Sequence, residues 1–118
     1  TLTGAGILCL ELCGRHNDPD SLRAARYLLR VYRELEGQER AFYGMYYTAQ
    51  GLFQIGGESW QVFSNWMYRT WMPKQGSDGG WGGQEVSRSY STALMLLAFT
   101  VPYRQLPIYQ RDETVDEE

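Results

Sequence analysis

Lys74-Gln75-Gly76-Ser77-Asp78-Gly79-Gly80-Trp81 is a polar, glycine-rich turn that closes on a tryptophan between two helical patterns. Downstream of it runs the small-then-apolar block Ala93-Leu94-Met95-Leu96-Leu97-Ala98-Phe99. A similar block, Ala49-Gln50-Gly51-Leu52-Phe53, lies upstream, and a third, Ala5-Gly6-Ile7-Leu8-Cys9-Leu10, opens the chain. Ala5, Ala49 and Ala93 fall at equal steps of 44 residues, inside the roughly 20–50-residue window of folds built from one repeated supersecondary unit. Internal repetition is therefore the first expectation.

The 118 residues fit one domain, and a hydrophobic content of 43% is enough for a buried core. Nine tyrosines and four tryptophans predict aromatic-lined interiors or clefts, since such rings supply area while their polar tips still need partners. The net charge is −3 and the acidic residues gather in 111–118, which argues against a nucleic-acid footprint and marks a solvated tail. The apolar run from Ala93 to Phe99 is far short of the ~20 residues that span a bilayer, so no transmembrane segment is expected. The chain starts without Met, as a processed chain or a piece of a longer one would, and the compartment stays open.

Cys9 and Cys13 share a helix face, with His16 three residues on. That cluster could offer three ligands to zinc but lacks a fourth. The competing reading is two small residues in a buried helix and a histidine in the next turn, which predicts no metal and no cofactor. One helical turn seldom offers the geometry of a disulfide.

Five helices follow from the periodicity, and they alternate in kind. Residues 3–13, 42–55 and 89–101 are apolar nearly all round, which predicts an inner layer buried on several sides. Residues 19–36 place Leu22, Ala25, Leu28, Leu29, Tyr32 and Leu35 on one stripe, with Arg23, Arg26, Arg30, Arg33 and Glu34 largely off it. Residues 58–72 do the same with Trp60, Phe63, Trp66, Met67 and Trp71, and both predict an outer layer with a wet face. Asp18-Pro19 reads as an N-cap with proline in the first turn. Gly14 and Gly37 read as stops, Gly56-Gly57 as a hairpin turn, and Pro73, Pro102 and Pro107 as breakers. The fold class predicted is all-α.

Alternation at this period fits either a HEAT-like solenoid or a barrel of helical hairpins, and the glycine-rich turn favours the barrel. Gln75-Gly76-Ser77-Asp78-Gly79-Gly80-Trp81 resembles the Gln–Trp motif of the prenyltransferase and squalene oxidase repeat family, the α/α-toroid proteins that include squalene–hopene cyclases. Ser91-Thr92-Ala93-Leu94-Met95-Leu96-Leu97 resembles the inner helix that follows it. The specific part of the likeness is 66–100, within a repeat domain spanning 1–110. It implies an α/α-toroid in which Gln75 caps a helix end and packs beside Trp81, with Asp78 and Gly80 completing the structural motif.

The family's chemistries do not carry over residue by residue. Asp18-Pro19-Asp20-Ser21 lacks the adjacent acidic pair of the cyclases' Asp-x-Asp-Asp acid and reads as a helix cap. His16 beside its cysteines does not match a zinc triad drawn from separate helices, and Gly82-Gly83-Gln84-Glu85 lacks the thioester cysteine. Glu11, Glu58 and Glu85 are candidate carboxylates for sugar cleavage, with capping or solvated roles as the competing reading. No Gly-x-Ser-x-Gly turn is present.

Such toroids hold five or six hairpins, and this period allows about two and a half in 118 residues. The expectation is thus a non-catalytic partial toroid that binds or scaffolds, completed by the remainder of a longer chain or by self-association. The alternative is the C-terminal part of a terpene-cyclase-like enzyme. There Tyr43, Tyr46, Tyr47, Phe53 and Trp81 would line an apolar cavity for an isoprenoid-like ligand and stabilise carbocations.

Overall fold

A computed structural model of the chain describes residues 1–82 and 87–103. Among them the backbone forms five α-helices and no strand: α1 (Leu2–Leu12), α2 (Pro19–Val31), α3 (Ala41–Ile55), α4 (Gly57–Trp71) and α5 (Arg88–Phe99). Short 3-10 helices extend α2 (Tyr32–Gly37) and α4 (Met72–Lys74) and follow α5 (Val101–Tyr103). The acidic tail, Pro107 and Gly83-Gln84-Glu85 lie outside the described residues.

Local chemistry sets these boundaries. Asp18 accepts the Asp20 N–H at 2.8 Å and Pro19 opens α2, as a helix start requires. Gly56 and Gly57 both sit at positive φ, 74° and 53°, and reverse the chain between α3 and α4. The helix expected over 19–36 is α-helical only to Val31. Beyond it the tighter 3-10 winding places Tyr32 and Leu35 one above the other, and both are buried.

The helix α3 packs against all four others; α1 and α5 both lie on it and barely touch each other. Helices α2 and α4 pack on each other and on α3. In chain order the helices therefore alternate between a row α1–α3–α5 and a pair α2–α4. The pair is amphipathic as expected: α2 buries Ser21, Ala25 and Leu28, and α4 buries Phe63, Ser64, Met67 and Trp71. Within the pair Tyr32 meets Trp66 edge-on with centroids 5.0 Å apart, and between the two groups Phe53 of α3 meets Trp60 of α4 likewise at 5.3 Å.

The joint between α1 and α3 is made of glycine. A Cβ on Gly4 would stand 2.7 Å from the Thr48 backbone, and one on Gly51 would stand 2.7 Å from the Gly4 carbonyl oxygen. Neither contact is possible for a larger residue without moving a helix.

The row is not uniformly buried. Only α3 matches the expectation of a helix enclosed on several sides, with Met45, Ala49 and Leu52 wholly inaccessible. Helix α1 buries Gly4, Ile7 and Leu8 alone, and α5 buries Ser91, Met95, Ala98 and Phe99. Cys9 and Cys13 are exposed, correcting their placement in a buried helix. The physical reason is position: among the described residues each flanking helix has α3 on one side and no further helix of the row on the other. The same fact separates the three equally spaced alanines, since Ala49 is buried, Ala5 half-buried and Ala93 exposed.

Candidate functional site

The glycine-rich turn is a closed hydrogen-bonded unit. Gly76 N–H donates to the Gly80 carbonyl (2.8 Å), Gly79 N–H to that of Gly76 (2.9 Å), and Gly80 N–H to Asp78 Oδ1 (3.1 Å). Arg88, the first residue of α5, grips it from outside. Its guanidinium forks onto both Asp78 oxygens, with Nε to Oδ2 at 2.7 Å, and reaches the Gly82 carbonyl (2.7 Å) and the Gly80 carbonyl (3.0 Å). The Arg88 fork and the Gly80 N–H hold the Asp78 carboxyl well below the usual carboxylate range, and the same pairing raises Arg88.

Trp81 is the keystone of this region. Its side chain is buried, its backbone N–H donates to Thr92 Oγ1 (3.0 Å), and its carbonyl accepts from Ser91 Oγ (2.7 Å). The indole N–H donates to the Trp71 carbonyl at 2.7 Å, which satisfies one of the acceptors left open at the end of α4. Tyr68 of α4 returns the bond: its hydroxyl donates to the Phe99 carbonyl at the end of α5 (2.9 Å), and its ring stacks on Phe99 with centroids 5.4 Å apart. Burial pushes the Tyr68 hydroxyl pKa up. The end of α4 is thus bonded by Trp81 of the turn and the end of α5 by Tyr68 of α4.

The helix-end role expected of Gln75 falls to Trp81. Gln75 is exposed and its amide donates to the Gly79 carbonyl at 2.8 Å, so it braces the turn and caps no helix. Lys74 next to it lies over the Trp71 ring, 4.7 Å from the centroid, and pairs with Glu36, tying the end of α4 to the end of the α2 segment.

The rings expected to line one cavity pack on neighbouring rings among the described residues. Tyr43, Tyr46 and Tyr47 pack against one another on α3, with centroids 4.6 Å apart for Tyr43–Tyr47 and 4.9 Å for Tyr46–Tyr47. Phe53 packs on Trp60, and Trp81 on Phe99. A groove of about 510 Å³ does open beside the turn, lined by Asp78, Gly79, Gly80, Arg88, Ser89, Thr92, Ala93 and Leu96. None of the three tyrosines lines it.

His16 Nδ1 lies 2.6 Å from Glu11 Oε2, and the Glu11 side chain is 3% exposed. By helical register Glu11 lies on the opposite side of α1 from the two thiols. Glu58 stands exposed in the first turn of α4, where a carboxylate complements the helix dipole. Among the described residues no three His, Cys, Asp or Glu side chains gather in a way that holds a metal ion, and no helix is long and apolar enough to cross a membrane. Arg88, Ser91, Thr92 and Tyr68 were not legible as site residues, because their partners, main-chain groups and the Asp78 carboxylate, are brought within reach only by folding.

Comparison with protein families, with curated proteins and with solved structures finds no match to this chain.

Proposed function

We propose that this chain is a non-catalytic domain of the α/α-toroid repeat type, and that it works as a binding or scaffolding module through the two flanks of its inner row. The observation that carries the reading is the mismatch between apolarity and burial at those flanks. Helix α1 is apolar nearly all round, yet Leu2 is 73% and Leu12 43% exposed; α5 leaves Leu96 48% and Tyr90 47% exposed. Single exposed apolar residues are ordinary, but apolar side chains grouped along one helix face mark interaction sites. The Gln–Trp-like turn then has a structural role: with Arg88, Trp81 and Tyr68 it ties the ends of α4 and α5 together while α5 packs on α3.

Charged substitutions on the two flanks test the reading. Sedimentation velocity of the 13.6 kDa chain is expected to give species heavier than the monomer. Leu2→Glu combined with Leu96→Glu is expected to return the monomer with an unchanged circular-dichroism melt, since neither side chain is in the core. A doubly substituted chain that sediments like the unsubstituted one contradicts the proposal.

A further inference from the structure

We propose that Cys9 and Cys13 form a two-coordinate site for a soft monovalent metal ion of the copper(I) kind. The site is independent of the reading of the flanks as working surfaces.

Burial was the ground for reading these two cysteines as inert, and the structure removes it, because both are free and exposed. They also stand one above the other. The Cys13 N–H donates to the Cys9 carbonyl at 3.0 Å, so the helical turn is intact between them and the two side chains share one face, with Cβ atoms about 5–6 Å apart. A disulfide wants its Cβ atoms about 3.8 Å apart, so the pair does not close on itself while the turn is kept. Two metal–sulfur bonds of roughly 2.3 Å laid end to end span about 4.6 Å, a distance that suits the wider spacing of one helical turn. The thiols are therefore placed for a bridging ion and not for each other.

Coordination number selects the ion. His16, the third donor of the sequence cluster, is turned to Glu11 across the helix, with Nδ1 2.6 Å from Oε2. Among the described residues no third His, Cys, Asp or Glu side chain joins the thiols. Zinc needs four ligands and finds two here, whereas copper(I) favours soft thiolates and is satisfied by a pair. The approach is open among the described residues. Gly6, three residues before Cys9, and Gly14, next to Cys13, carry no side chain, and a Cβ added at either would meet nothing within 4 Å. On binding, both S–H protons leave to solvent, two S–Cu bonds form and no electron is transferred, which leaves a bis-thiolate complex of charge −1.

Anaerobic titration of the full chain with Cu(I) tests the site, in competition with a chromophoric Cu(I) chelator and at a dilution where light scattering gives the monomer mass. One ion per chain is expected, with the mass unchanged by loading. Cys9→Ser and Cys13→Ser are each expected to weaken binding by about a hundredfold or more, because the second thiol no longer adds within the same molecule. Neither is expected to move the melt of the metal-free chain, since both side chains lie outside the core. Cys9→Ser combined with Gly6→Cys keeps two thiols but sets them seven residues apart, about 10.5 Å along the helix, and is expected to bind no tighter than either single variant. No binding, two weakly held ions per chain, one ion shared between two chains, or unreduced affinity in any of the three variants would overturn the site. Zinc held as tightly as copper(I) would overturn it too, since that requires donors beyond the pair.

Discussion

Trp81 combines, in one side chain, the burial of an indole with the capping of another helix. Trp81→Ala is expected to destabilise the fold by roughly 3–5 kcal/mol, as large-to-small core changes do, and a denaturant titration reads it directly. Trp81→Phe keeps most of the apolar area but leaves the Trp71 carbonyl without its donor, an expected cost of about 1 kcal/mol plus the loss of fit. Gln75→Ala removes only an exposed bond across the turn and is expected to cost less than either. Asp78 adds a pH dependence. Its folded pKa is depressed by Arg88 and the Gly80 N–H, so its stabilisation is fully present above the unfolded value near ~4 and fades as the pH falls below it. Because the pair is exposed the effect is small, and Asp78→Asn is expected to flatten the acid limb of the thermal-stability profile. A mutant profile with the same acid limb would show that Asp78 does not contribute. The turn was legible from its glycines and its tryptophan; Arg88 was not, because no local pattern marks a side chain that reaches back ten residues to Asp78.

The helices themselves were largely legible, since period and punctuation placed all five, and the structure moved their ends by one or two residues except in α2, which turns 3-10 after Val31. What periodicity could not supply was sidedness. An all-apolar helix reads the same whether it is enclosed, as α3 is, or flanking, as α1 is, and that is why Cys9 and Cys13 were misplaced. The α1–α3 joint gives a sharp test of the packing. Gly4→Ala gains helix propensity of up to ~1 kcal/mol but drives a methyl into the Thr48 backbone, so net destabilisation of about 1–3 kcal/mol is expected. Gly6→Ala, about half a turn away in open space, is expected to stabilise by up to ~1 kcal/mol. Equal effects at the two glycines would contradict the packing of α1. At the same joint the Thr48 hydroxyl is buried with no partner among the described residues. Thr48→Val keeps the shape and removes the unsatisfied group, so a neutral or raised melting temperature is expected.

At the scale of the molecule, the described residues form a row of three helices whose centre, α3, is sealed and whose flanks, α1 and α5, leave apolar side chains exposed. The equal spacing of Ala5, Ala49 and Ala93 pointed to repetition, and in the structure the three residues differ in burial. The proposal that the open ends are working surfaces stands or falls on association in solution. Multi-angle light scattering of the unaltered chain across a dilution series is the most direct measurement. The predicted result is an average mass that rises above 13.6 kDa with concentration and returns to it on dilution. A constant monomer mass up to high micromolar concentration, from a chain that unfolds in one cooperative step, would show that the five helices are complete as a small bundle and would contradict the account.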